Sequence, residues 1–155
     1  MFWLLLLIAA AFVIGAKGAT LGASSGSSFG STFSPQVVLF GQAIAVAEGT
    51  VNRDGSLNTD SLGIQLNNPG DLEDSSGQLR SFATIEDGWN ALYTQADAML
   101  NGTSRVYRPN MTIAQAAYLY TGNDHAMAWA TAVAQQLGVS INSTLNQVNA
   151  LILVG

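Results

Sequence analysis

Phe2 to Ala16 form an unbroken apolar run of fifteen residues, FWLLLLIAAAFVIGA, with no charge before it and Lys17 just after it. A membrane-spanning helix needs about 20 residues, so the run better suits the apolar core of a signal peptide, although a basic n-region is missing. Cleavage after Ala16 or Gly18 meets the small-residue rule only roughly. An uncleaved membrane anchor therefore stays open beside the signal peptide, with a buried core helix as the third alternative. Residues 1–18 are expected to direct export or membrane attachment, the latter through residues 2–16. From Gly18 to Ser34 the pattern vanishes: GATLGASSGSSFGSTFS lacks apolar periodicity and reads as a flexible linker over residues 19–34. Residues 35–155 are left as one folded domain.

Within that domain the apolar spacing is mostly helical. Ser34 is an N-cap, Pro35 stands at the first helical position and Gly49 is a natural left-handed stop, which predicts a helix over Pro35 to Glu48. Thr50 to Ala83 is rich in Gly, Asn, Asp and Ser and too long for a plain loop in a compact domain. Short strands are expected at Leu62 to Leu66 and Leu79 to Phe82, with EDSSGQ (Glu73 to Gln78) as a hairpin turn. Thr84-Ile85-Glu86-Asp87 resembles a capping box, and Ile85, Trp89, Leu92, Ala96 and Met99 keep helical spacing until Asn101-Gly102. Thr112 with Gln115 repeats the capping pattern. Asn123 or Asp124 starts a further helix that Gly138 ends, and Ser143 or Thr144 caps a last one. The expected fold class is mainly α (α+β), with a small β-hairpin insertion after the first helix.

Composition narrows the chemistry. A chain of 155 residues with 48% hydrophobic content has room for one core. Five Lys+Arg against ten Asp+Glu leave a net charge of −5, which repels phosphate backbones and argues against nucleic acid as a partner. There is no cysteine and one histidine, His125, so a zinc site would need carboxylates for nearly all its ligands, and no metal or other cofactor is expected.

Charged residues are only 10% of the chain, which singles out the lone carboxylate of AIAVAEGT (Ala43 to Thr50). Val37, Phe40 or Gly41, Ile44 and Glu48 follow one another at helical steps, so Glu48 continues the apolar stripe. Desolvation and the negative end of the helix dipole both disfavour its charged form, and its pKa should rise. A carboxylic acid that keeps its proton near neutrality is what a general acid needs to protonate a poor leaving group such as a glycosidic oxygen. The alternative is a side chain that rotates outward in a frayed last turn.

The next landmark is NNPGDL (Asn67 to Leu72), a turn sequence in which Asn before Pro is extended and Gly accepts positive φ. Together with Glu48-Gly49, the FAT-x-E-D-G helix start (Phe82 to Gly88) and YTGND (Tyr120 to Asp124) before the helix at Trp129, the order and spacing over Gln36 to Val148 resemble a lysozyme-like, lytic transglycosylase-like family of phage-virion and bacterial muralytic proteins. That resemblance implies a helical body and a small β-lobe with the active site between them. It implies peptidoglycan glycan strands as substrate and Glu48 as the catalytic acid. Glu-Gly stands here where typical lytic transglycosylases have Glu-Ser.

Hydrolysis of the MurNAc-GlcNAc bond usually employs two carboxyl groups, whereas a lytic transglycosylase manages with one. Asp54, Asp60, Asp71, Glu73 and Asp74 are the candidate second carboxylates, Asp71 first among them, and none shares the apolar context of Glu48. Single-acid transglycosylation is therefore the favoured reaction. A sugar cleft also needs aromatic faces and amides. Tyr118 and Tyr120 are candidates for ring stacking, and Asn67, Asn68 and Asp71 for lining the groove; the resemblance further implies a tyrosine on a later helix that orients the acid, a role open to Tyr118 or Tyr120. Trp89, Tyr93 and Trp129 lie on apolar stripes and read as core, and His125 reads as an exposed first-turn residue. The competing readings are a non-catalytic lysozyme-like structural or glycan-binding protein of a virion or cell surface, and a membrane-tethered interaction domain unrelated to glycan.

Overall fold

The structure is a computed structural model describing residues 32–122 and 124–151. The expected export segment, most of the linker and Asn123 lie outside these residues. In chain order the helices are α1 (Pro35–Ala47), α2 (Leu62–Gln65), α3 (Ile85–Leu100), α4 (Ile113–Thr121), α5 (Ala126–Leu137) and α6 (Leu145–Asn149). The fold is mainly α. Among the described residues there is no sheet, only isolated antiparallel bridges that pair Val51 with Leu57, Glu73 with Leu79, and Thr112 with Thr144. None of the described helices is long and apolar enough to cross a membrane.

α1 is the central helix, packed against α3, α5 and α6, while α4 packs on α5. Val37, Phe40, Ala43, Ile44 and Ala45 are all fully buried, so the helix is apolar around most of its circumference and not along one stripe only. Leu92, Ala96 and Met99 of α3, Ile113 and Ala116 of α4, and Ala130 and Val133 of α5 complete the core. Phe33 also packs against it, its ring 5.7 Å from that of Tyr93, so the folded part begins two residues before α1.

The helix boundaries follow their local caps. Ser34 Oγ accepts from the Val37 N–H at 3.3 Å, and Thr112 and Thr144 form complete capping boxes with Gln115 and Gln147. α1 ends in a Schellman motif: the Gly49 N–H donates to Val46 O at 3.1 Å and the Thr50 N–H to Ala45 O at 3.1 Å, with Gly49 at φ 73. Glu48 is the C-cap of α1. α5 departs from expectation. It starts at Ala126 after His125, which makes no side-chain capping bond, and not at Asp124.

The polar insertion after α1 holds turns and a short helix where strands were expected. Leu62 to Leu66 is not a strand: Ser61 Oγ accepts from the Ile64 N–H at 3.2 Å and caps α2, in a segment whose one β-branched residue is Ile64. Leu79 to Phe82 bridges through Leu79 alone, after which the Arg80 and Phe82 N–H groups donate to Leu72 O and Leu66 O, at 2.8 and 3.0 Å. The expected turn at Glu73 to Gln78 is present, tied by the Asp74 carboxylate to the N–H groups of Ser76 and Gln78.

Close packing explains Gly70 and Gly88, whereas Gly55 and Gly77 of the insertion take positive φ. Gly70 does not have positive φ; the left-handed residues of the NNPGDL loop are Asn67 at φ 55 and Asp71 at φ 46. A Cβ on Gly70 would stand 2.6 Å from Leu92 Cδ1, and one on Gly88, in the first turn of α3, would collide with Asn67 O and lie 2.8 Å from Pro69 Cδ. The loop is thus pressed onto α3 at two points, against the Leu92 side chain at Gly70 and backbone to backbone at Gly88. Gly88→Ala should cost about 2–4 kcal/mol in urea unfolding, because the obstacle is a backbone carbonyl that cannot rotate away.

Candidate active site

Four elements meet at Glu48. α1 delivers the carboxyl at its C-terminus, α5 delivers Trp129, α4 delivers Tyr120, and the NNPGDL loop delivers Asp71. Trp129 Nε1 donates to Glu48 Oε1 at 2.6 Å. The Trp129 ring stacks on Tyr120 with centroids 4.9 Å apart and an interplanar angle of 28°. Tyr120 Oη in turn donates to Gly70 O at 2.8 Å. A chain of contacts therefore runs from the loop, through an aromatic pair, to the acid.

The loop is held in register from both ends. Asn68 is fully buried: its Oδ1 accepts from the Leu72 N–H at 2.9 Å, and its Nδ2 donates to Leu72 O at 2.9 Å and Arg80 O at 3.0 Å. Asn67 Nδ2 donates to Phe82 O at 3.0 Å, joining the loop to the approach to α3. Buried Thr50, just past the end of α1, places its hydroxyl 2.9 Å from Ala45 O and 2.5 Å from Pro69 O.

Glu48 opens onto a cleft of about 720 Å³ bounded by Asp71 and Glu73 on one side and by Tyr118, Tyr120, His125 and Trp129 on the other. A second hollow of about 440 Å³, reaching Arg80, Gln95 and Tyr107, adjoins it across a saddle of Asp71, Glu73, Leu119 and Tyr120. The two form a groove past the acid. Burial pushes the Glu48 pKa from its ordinary 4.5 to about 7; the Trp129 hydrogen bond pulls the other way, and the charges of Asp71 and Glu73 add to the rise. Burial also raises Asp71, whose Oδ1 is buried without a hydrogen-bond partner, and holds Tyr120 well above the usual tyrosine range.

The residues singled out from sequence separate into distinct positions. Glu48, Asp71, Tyr118 and Tyr120 share the cleft. Tyr118 is 46% exposed and presents its ring to solvent, whereas the Tyr120 hydroxyl reaches Gly70 O and not the acid. Asn67 and Asn68 build the loop instead of lining the groove; the Asn68 amide is fully engaged with backbone and has no group left for a ligand. Of the other acidic residues, Asp54 and Asp74 are solvent-exposed turn formers bound to Ser56 and Ser76, which hold their carboxyls below the ordinary range, while Glu73 lines the cleft. Trp129, which reads as core, is indeed 3% exposed, yet its N–H is the donor to the acid. The available signal was generic: a buried indole must find an acceptor. His125 is exposed at the cleft edge.

Comparison with family models, with curated proteins and with solved structures gives no match.

The raised pKa has a stability consequence. The folded state holds the Glu48 proton more tightly than the unfolded chain, so the desolvation cost of the carboxylate is absent below pH 4.5 and complete above about pH 7. Glu48→Gln carries no charge to desolvate. In chemical denaturation it should be more stable than wild type by about 2 kcal/mol at pH 8.5, after allowance for residual solvent screening, with the gain vanishing below pH 4.5.

Proposed function

We propose that this protein cleaves the glycan strands of peptidoglycan as a lytic transglycosylase, with Glu48 as the general acid and then the general base. The observation that carries the reading is a carboxyl group at the end of a buried helix, its pKa pushed by burial to about 7, that opens onto a cleft of about 720 Å³ adjoining a second hollow of about 440 Å³. Protonated Glu48 donates to the glycosidic oxygen, the C1–O bond breaks, and positive charge develops at C1 of the MurNAc ring. The resulting carboxylate takes the proton of that sugar's 6-hydroxyl as O6 bonds to C1. A 1,6-anhydro end is left and the acid is restored.

The surroundings suit this chemistry. Asp71 and Glu73 put negative charge beside the developing cation, and the exposed Tyr118 ring offers a face for a pyranose. The proposal includes a lysozyme-like arrangement: the cleft separates the ends of α1, α4 and α5 from the polar insertion carrying Asp71, Glu73 and Leu79. It also includes action beyond a membrane, by an exported, anchored or virion-borne chain, motivated by the apolar run Phe2 to Ala16.

A second reading, hydrolysis, is favoured by Asp71, a carboxyl group in the same cleft that a water-activating mechanism would use. Digests of purified peptidoglycan by the full chain decide between them under mass spectrometry. Anhydro-ended muropeptides are expected, with a rate that falls as pH rises through about 7 because the acid form is lost, and a drop of roughly 10³-fold in Glu48→Gln. Asp71→Asn should keep the anhydro products and move that alkaline limb to lower pH, since a neighbouring negative charge is gone. Reducing ends that vanish in Asp71→Asn would establish hydrolysis instead, and intact glycan in wild type would leave a binding protein.

A further inference from the structure

We infer that Trp129 is a positioning residue: its indole N–H reserves Oε1 of Glu48 as an acceptor and thereby assigns the acid's proton to Oε2, the oxygen left free of that bond to donate. This deepens the transglycosylase reading and, for its role in turnover, rests on it.

An indole N–H donates and never accepts, so Oε1, 2.6 Å from Trp129 Nε1, is an acceptor in every protonation state. In a neutral carboxyl group the carbonyl oxygen is the better acceptor of the two. The hydroxyl proton therefore belongs on Oε2. The donor cannot easily swing away: its ring is 3% exposed, stacked at 4.9 Å on Tyr120, and Tyr120 is itself tied to Gly70 O at 2.8 Å. Once Oε2 has given its proton to the leaving group, the same N–H faces a carboxylate and the bond becomes charge-assisted. That stabilises the state from which the 6-hydroxyl proton is taken back. Trp129 thus opposes burial and the charges of Asp71 and Glu73, keeping the acid strong enough to donate.

The titratable groups around the acid are Asp71 and Glu73 from the insertion, Tyr107 from the α3–α4 connection, Tyr118 and Tyr120 from α4 and His125 at the start of α5. The test must separate Glu48 from all of them. In the full chain carrying Trp3→Phe and Trp89→Phe, Trp129 is the one remaining indole, and its N–H gives one side-chain resonance in ¹H–¹⁵N NMR. That resonance should move with pH about a midpoint near 7 and become flat when Glu48→Gln is added. A resonance that is flat in the presence of Glu48, or that still titrates in Glu48→Gln, overturns the inference whatever the digests show.

The role in turnover is read separately. Trp129→Phe keeps the stacked ring and loses the donor, so kcat should fall about tenfold with KM within about twofold, and the alkaline limb should move up by about one to two pH units. An unchanged limb with unchanged kcat overturns the positioning role. A titrating indole in a protein that releases no glycan fragments supports the proton assignment and overturns the cleavage reading, so the two fail independently.

Discussion

A carboxyl group placed at the inner end of a buried helix must either keep its proton or be given a donor, and here it has both. Glu48 sits where the unpaired carbonyls of α1 already concentrate negative potential. Burial raises its pKa to about 7, and the Trp129 N–H limits that rise. Other features of the site serve this one group. α5 lies against α1 and so brings its indole within 2.6 Å of the acid, and Tyr120 on α4 braces that indole from behind.

The residue that follows the acid has a structural cause. Gly49 adopts φ 73 because α1 ends in a Schellman motif, which turns the chain sharply enough for Thr50 to reach Pro69 O. A serine in that position would adopt the left-handed region at a cost. Glu-Gly is thus the consequence of how the helix stops, and Thr50 links that stop to the NNPGDL loop. The loop is then fixed by the Asn68 amide, which replaces the backbone pairing a sheet would otherwise supply.

Two motifs that look separate along the chain turn out to be one contact. Gly88 of the FAT-x-E-D-G helix start has no side chain because Asn67 O and Pro69 of the NNPGDL loop occupy its space. Gly70 meets Leu92 one turn further along α3 in the same way. The Asp71 carboxyl, on a left-handed residue beside this contact, is carried into the cleft with one oxygen unpartnered. Packing of loop on helix therefore adds, through Asp71, to the rise that burial gives the Glu48 pKa.

The helices outside the insertion were legible in the sequence because their signals are local. Ser34, Thr84, Thr112 and Thr144 each cap the backbone a few residues on, and Gly49 and Gly138 stop what precedes them, so no distant residue has to be known. The placement of Glu48 on an apolar face was legible for the same reason, as was its expected rise in pKa. The insertion was not: Leu62 to Leu66 became a helix and Leu79 to Phe82 paired with Leu72 and Leu66, because such segments take whatever partners the surrounding chain presents. Nor were the roles of Trp129, Asn68 and Asp71. Trp129 reads as core by periodicity, and it is core; only the approach of a helix 81 residues along the chain shows that its one polar atom meets the acid. Local chemistry determined that Glu48 ends an apolar helix where its carboxylate is disfavoured, and long-range packing decided which groups surround that carboxyl, because hydrogen bonds and desolvation depend on what the fold brings near and not on what lies adjacent in the chain.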